Sequence, residues 1–484
     1  MNLGVKTMEE EITNRTDDEV IKLRKDKFVS LLKRKYNLIA YLGLAFIVFI
    51  SVWIRTRNLD GLRDITTGTW TLGPDLDPFL FLRWSEYIVE NGRLFDIDPM
   101  RYVPLGFETR NELLLHPYLM AWFHKIAVIF GSDSVVHSAV LYPVFMFALT
   151  VIAFFFFTRK IFIDNLGESK ANIVALISSL FISIIPSILP RTIAGIPEKE
   201  SSAFFFLFLS FYLFLCAWKA KGLRNQLIFA LLAGISTGAM ALVWGGYAFI
   251  FFSLVPATLL IFIIQGFDKN KFYINLVWTA SSFVMMSIFS NRYPIISLLT
   301  SSYIIVIIIM VVHLVIFNTK LKKYFENGKL SRIPPQIVSF FIAVIVLFSL
   351  AFVIFGSANI YSRIGGVVND LINPANSRLI QTVAENRQPF FPEWKSDFSL
   401  FGFLLFFVGS IYLFFNSVKS FRISERIILT ASYALLIFSI VFSRYKADSV
   451  FNGTSNMSLF LYFSGFVVFL ICVVFYYYKY WKNN

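Results

Sequence analysis

The 484-residue chain is poor in the residues that soluble enzymes rely on. It has two cysteines, Cys216 and Cys472, each inside an apolar run, so no disulfide framework follows and no redox compartment can be read. Charged residues make up 15% of the chain, against roughly a quarter in an ordinary soluble domain. A cleavable signal is also missing: the charged start is long, and the first apolar run does not end in a small-residue cleavage site.

Apolar residues are plentiful, at 57% with a mean hydropathy of +0.68. This composition predicts an all-α polytopic membrane protein. The formal charge of +14 is carried by short clusters between apolar spans, the positive-inside pattern, which argues against nucleic acid as the partner. Residues 1–37 read as a polar, basic cytoplasmic tail with a short amphipathic helix on the membrane surface, and 480–484 as a short C-terminal tail.

About twelve apolar runs reach spanning length: 36–54, 134–157, 171–190, 201–218, 226–243, 247–264, 272–290, 295–317, 335–355, 398–415, 426–442 and 457–478. Together they define a transmembrane domain over 38–479. Basic residues in alternate connections assign 55–133, 191–200, 356–397 and 443–456 to the external side. Inside the first of these, 79–91 has a helical rhythm, and 112–130 reads as a helix lying on or dipping into the membrane.

The acids gather on that external side. Arg191-Thr-Ile-Ala-Gly-Ile-Pro-Glu-Lys-Glu200 puts an arginine and two glutamates at a membrane boundary, where charge is costly and read first as functional. Its simpler reading is a helix start, with proline and acids in the first turn. Asp77, before Pro78, is either a helix cap or a rigidly held surface carboxylate. The stretch Arg378-Leu-Ile-Gln-Thr382-Val-Ala-Glu385 adds one more acid in what could be a plain solvated loop. Asp77, Glu198, Glu200 and Glu385 are oxygen-only ligands, which suit Mg²⁺ or Mn²⁺ better than zinc. Glu198 and Glu200 are two apart and would not share a helix face, so one is expected on the metal and the other on an arginine, a second ligand or a substrate. Arg444, at the end of a span, suits a lipid-linked phosphate.

These motifs resemble, in order and across residues 38–445, the catalytic subunit of oligosaccharyltransferase, most closely the archaeal single-subunit form. Asp77-Pro with Tyr87-Ile-Val-Glu-Asn-Gly92 is similar to its first-loop aspartate motif, and Glu198-Lys-Glu200 to its second acidic motif in an E-x-E form. Trp244-Gly-Gly-Tyr247 resembles its tryptophan-glycine-glycine turn, and Thr382-Val-Ala-Glu385 its fifth-loop T-I-x-E motif. The resemblance implies a GT-C glycosyltransferase membrane domain that moves a glycan en bloc, with inversion, from a dolichyl-(pyro)phosphate donor to asparagine in an acceptor protein or peptide. It implies a metal on Asp77, Glu198 and Glu385, with Asp77 and Glu385 also on the acceptor amide. Arg191 and Glu200 would support the site, Arg444 would face the donor phosphate, and Thr382, Trp244 and Tyr247 are candidate contacts. Membrane lipid surrounds such a domain, its site faces outside the cell membrane, and the similarity points to archaea.

One departure from the family pattern stands out. No W-W-D-Y-G motif occurs up to Asn484. The family's C-terminal soluble domain is therefore expected from a separate chain, or sequon reading is relaxed, or the acceptor differs. A GT-C enzyme with another acceptor and a non-catalytic glycan-lipid scaffold are the competing readings. A transporter fits worst, because the apolar runs carry few mid-span charges.

Overall fold

The computed structural model describes residues 17–326, 333–372 and 388–483. Among these, nine helices are long and apolar enough to cross a membrane, and Ser302–Phe317 and Pro335–Ser349 are shorter apolar helices. The only sheet in the described residues is a two-stranded antiparallel pair, β1 (Ile97–Asp98) with β2 (Phe107–Glu108), in register Ile97↔Glu108 and Asp98↔Phe107. The protein is thus an all-α, multi-pass membrane protein.

Two compact units divide the chain. The first comprises Met1–Ile184, Ile188–Ser253 and Tyr273–Tyr303. Its described helices are α1 (Asp17–Arg55), α2 (Asp77–Asn91), α3 (Leu115–Ala127), α4 (Val135–Ile184), α5 (Lys199–Lys219) and α6 (Leu223–Val243). Helix α7 (Ala248–Gln265) leaves this unit and α8 (Lys269–Phe289) re-enters it, followed by the short α9 (Ile295–Leu299). The second unit holds α10 (Ile305–Phe317), α11 (Lys322–Glu326), α12 (Pro335–Ile372), α13 (Phe391–Ser417), α14 (Ile423–Phe442) and α15 (Asn456–Asn483).

Several expected boundaries move, each for a local reason. Helix α1 starts at Asp17 and runs unbroken into the first span, so the basic stretch before residue 37 is not a separate surface helix. Fifty helical residues in α4 would measure about 75 Å, far beyond a single crossing of ~30 Å. The backbone breaks at Gly167 (φ 75°, ψ 170°), and the connection expected over 158–170 is helical up to that point. The run 295–317 is interrupted after Leu299. There the Thr300 and Ser301 hydroxyls bond to the carbonyls of Ile296 and Leu298, competing with the helix ladder. Helix α12 continues to Ile372 past a break at Gly356 (φ 74°), so the first part of the loop expected over 356–397 is helical. Helix α2 begins at Asp77 rather than 79, and the segment expected over 112–130 is the shorter α3 followed by a single 3-10 turn, Val128–Phe130.

Packing in the first unit joins the 55–133 segment to the spans. Leu62, Phe81, Leu82, Met120, Tyr142 and Ala194 form one buried cluster that ties α2, α3, α4 and the 191–198 loop together. Trp84, Ile88 and Leu94 pack on Ala121 to hold α2 against α3. Asp98 is fully buried and fully bonded. Arg83 grips both its oxygens, Trp84 Nε1 donates to it at 2.9 Å and the Met100 amide at 3.0 Å. Arg83 is therefore structural, and it pins the sheet to α2.

Candidate functional site

The 191–198 loop is strapped from both sides. Its Ala194 amide donates to the Arg55 carbonyl at 2.9 Å, and Asn58 Nδ2 donates to the Ala194 carbonyl at 2.8 Å. Arg55, wholly buried, bonds Thr192 Oγ1 through Nε at 2.9 Å and stacks on Phe147. Gly195 takes φ +82°; a Cβ there would lie 2.5 Å from Leu62. The Gly195 amide donates to the Val140 carbonyl and its carbonyl accepts from the Gly73 amide, which draws the Gly73–Asp77 segment against this loop.

His116 closes the strap. It is wholly buried, with Nε2 at 2.9 Å from the Pro197 carbonyl and Nδ1 at 2.9 Å from Ser202 Oγ. A carbonyl can only accept, so Nε2 carries the proton and Nδ1 accepts from Ser202. Ser202 has a single hydroxyl proton, so Tyr142 must donate across the 2.6 Å contact to it. Burial holds the imidazole neutral, with its pKa lowered to about 3. The residue immediately before Glu198 is thereby held by a directed chain of hydrogen bonds.

Glu198 and Glu200 are both buried, at 5% and 8% exposure. Glu198 is the residue preceding α5, in extended conformation (φ −75°, ψ 157°), and only Glu200 lies within the helix. The expectation that helical spacing parts the two side chains therefore fails, because one of them is not on the helix. Arg191 Nη1 lies 3.2 Å from Glu198 Oε1 and 3.4 Å from Asp75 Oδ2, bridging the two carboxylates. Burial pushes the Glu198 carboxyl up to about 8; Glu200, Asp75 and Asp77 push the same way, and Arg191 only partly offsets them. Asp77 is exposed, in the first turn of α2; the residue preceding that helix is Leu76, so the capping reading of Asp77 fails.

The structure thus brings Asp77, Arg191, Glu198 and Glu200 within electrostatic reach of one another. It adds Asp75, which sequence reasoning passed over although Asp75-Leu-Asp77 repeats the acid-x-acid spacing of Glu198-Lys-Glu200. Beside the cluster, Glu112 meets Arg292 at 3.1 Å, Lys199 at 3.6 Å and Arg101 at 3.8 Å. Burial alone would raise the Glu112 pKa, but those cations and the Leu113 amide hold it below the ordinary range. Trp244 ends α6 in extended conformation and packs edge-on to Phe204, one turn beyond Glu200 on α5. Tyr247 packs edge-on against Tyr293 and Tyr303.

Thr382 and Glu385 lie outside the described residues. Among the described residues no group of three acids, histidines or cysteines is close enough to hold a metal ion. Arg444 belongs to the second unit. There its backbone pairs with Asn452, its carbonyl accepts from the Phe391 amide at 3.0 Å, and its guanidinium lies over the Phe390 ring at 4.4 Å.

This arrangement of acids can be compared with known proteins. The family model described as oligosaccharyl transferase STT3, N-terminal, matches residues 38–478. The chain belongs to the STT3 family. A dolichyl-phosphooligosaccharide-protein glycotransferase of Archaeoglobus fulgidus is 25% identical over 434 residues, covering 84% of this chain and 47% of the relative. The rice subunit STT3A of dolichyl-diphosphooligosaccharide–protein glycosyltransferase is 24% identical over 357 residues, 68% of this chain and 42% of the relative. The fold is shared with the archaeal oligosaccharyltransferase AglB from Archaeoglobus fulgidus in complex with an inhibitory peptide and a dolichol-phosphate. That match has a TM-score of 0.61 at 20% identity, over 92% of this chain and 51% of the other. The STT3 chain described here spans about half the length of these proteins. The membrane-domain fold is the one shared with this archaeal oligosaccharyltransferase.

Proposed function

We propose that this STT3 protein transfers a glycan en bloc, with inversion, from a dolichyl-phosphate or dolichyl-pyrophosphate donor to the side-chain nitrogen of asparagine in acceptor proteins. It does so at the extracytoplasmic face of an archaeal cell membrane. The observation that carries the reading is the meeting of Asp75, Asp77, Glu200 and Arg191 around Glu198, beside the Gly195 strap, in a chain of this family.

The donor set fits a divalent cation. It is all oxygen, it holds more negative charge than one arginine offsets, and that crowding adds to burial in raising Glu198. A related Archaeoglobus fulgidus oligosaccharyltransferase, 20% identical with a TM-score of 0.54 over 90% of this chain and 51% of its own, has been solved in complex with zinc and sulfate, which supports a divalent ion. Mn²⁺ or Mg²⁺ on Asp77, Glu198 and Glu385 would supply positive charge against the phosphate as it leaves. Arg191 keeps Glu198 aimed, and Glu200 supports it from the same helix start. Asp77 and Glu385 position the acceptor amide, whose nitrogen gains the anomeric carbon and gives up one proton as the phosphate oxygen departs. Arg444 stabilises the charge on that leaving phosphate. Trp244, Tyr247 and Thr382 are the candidate loop contacts to substrate.

The test is transfer of a lipid-linked glycan, with Mn²⁺, to fluorescent Asn-x-Thr and Asn-x-Ala peptides by the purified protein. Transfer to the Thr peptide supports the reading, and equal transfer to both shows a relaxed acceptor site. Transfer to neither, even after addition of membranes from the source cell, refutes it. Restoration by those membranes would assign part of the acceptor site to a separate chain.

A further inference from the structure

A cavity of about 520 Å³, within the size range of built small-molecule sites, lies in the first unit and is lined by none of the acidic cluster's residues. Arg93 and Asp96, beyond the C-terminal end of α2, line it, and none of Asp75, Asp77, Arg191, Glu198 and Glu200 does. Its walls are apolar and come from two span ends, Leu242 near the end of α6 and Met285 and Phe289 at the end of α8, together with Trp122 on α3. Trp122 and Phe289 are also largely exposed, as aromatic side chains are at a membrane–water boundary.

The polar rim has a defined charge pattern. Arg110 donates to the Ile288 carbonyl at 3.4 Å, seating its cation at the negative end of α8. Arg93 is exposed and makes no hydrogen bond or ion pair with the described residues. With Asp96 the rim carries a net single positive charge and one hydrogen-bond acceptor. An apolar-walled cavity at the membrane boundary with this rim matches an amphiphile bearing one negative charge and a hydroxyl.

We propose that this cavity holds one chain of an anionic bilayer phospholipid, its phosphate on the Arg93–Arg110 rim and a headgroup hydroxyl facing Asp96. No residue of the acidic cluster lines this cavity, so the lipid seated there is a resident lipid and not the reacting donor. The proposal needs only a membrane-embedded chain and does not rest on the transfer reading.

Native mass spectrometry of the full chain, released from membranes of defined composition, tests it. The probes are phosphatidylglycerol, phosphatidylcholine, a polyprenyl phosphate and inorganic phosphate. The wild type should retain one phosphatidylglycerol in preference to phosphatidylcholine. Arg93→Gln, which disturbs no internal contact, should cut that preference about fivefold. Leu114→Trp, projecting into the cavity, should lower retention of both phospholipids. Equal retention of the two phospholipids by the wild type, or unchanged preference in Arg93→Gln, overturns the proposal. So does displacement of phosphatidylglycerol by equimolar polyprenyl phosphate, which would make this a donor site, or by inorganic phosphate, which would make it a small-anion site.

Discussion

Replacing Glu198 by glutamine should stabilise the cation-free protein at alkaline pH while abolishing transfer. The carboxyl is raised from 4.5 to about 8, which at roughly 1.4 kcal/mol per pH unit corresponds to a full span of about 5 kcal/mol. The sign follows from proton linkage. Between those two values the native state holds a proton that the unfolded chain has lost, so the contribution is complete below 4.5 and disappears as the pH rises through 8. Buried His116 acts in the opposite direction. Its pKa is lowered to about 3 while the unfolded imidazole titrates near 6.5, so acid below 6.5 destabilises. The two slopes oppose one another below 6.5, and the Glu198 slope stands alone from 6.5 to 8, where it amounts to about 2 kcal/mol. The assay is thermal unfolding followed by tryptophan fluorescence in chelator, at steps from pH 6.5 to 8.5. Wild-type stability should fall across this range, Glu198→Gln should be flat, and added Mn²⁺ should restore the wild type at pH 8.5. Identical slopes in the two proteins would refute the electrostatic account of the cluster.

Other perturbations bear on the same framework. His116→Leu leaves the Pro197 carbonyl and Ser202 without their partner, at about 1–3 kcal/mol for each buried polar group, and should remove the destabilisation on acidification below pH 6.5, read by the same unfolding assay. Gly195→Ala forces a left-handed backbone and a 2.5 Å approach to Leu62, so it should lower stability by about 1–3 kcal/mol and reduce transfer. Gly453→Ala puts a Cβ 2.6 Å from Arg444 Cγ and 2.7 Å from its Nη1; donor KM should rise in steady-state assays with little change in Mn²⁺ affinity. Arg191→Ala should lower kcat by at least tenfold, with a partial return in Arg191→Lys, which keeps one cation beside Asp75 and Glu198.

Most of the membrane architecture was legible because span-length apolar runs have few other solutions in lipid. Breaks inside helices were less so. Gly167 and Gly356 interrupt segments whose flanking charges had looked like loops, and hydropathy does not separate a charged helix end from a charged loop. Within the site, Asp77, Arg191, Glu198 and Glu200 were visible from cost and spacing. The error over Glu198 came from applying helix periodicity to a residue just before the helix, where its extended backbone frees the side chain to meet Arg191. Asp75 and His116 were missed because their partners, Arg191 and Pro197, are 116 and 81 residues away. No local pattern encodes a pairing at that distance.

Asp77, Glu198 and Glu385 are proposed to hold one divalent cation together where transfer occurs. The most direct measurement is Mn²⁺ titration of the purified protein by electron paramagnetic resonance, in the wild type and in Asp77→Asn, Glu198→Gln and Glu385→Gln. One bound ion is expected, with affinity reduced at least tenfold in each variant and transfer lost in parallel. Unchanged Mn²⁺ affinity in all three variants would contradict the account.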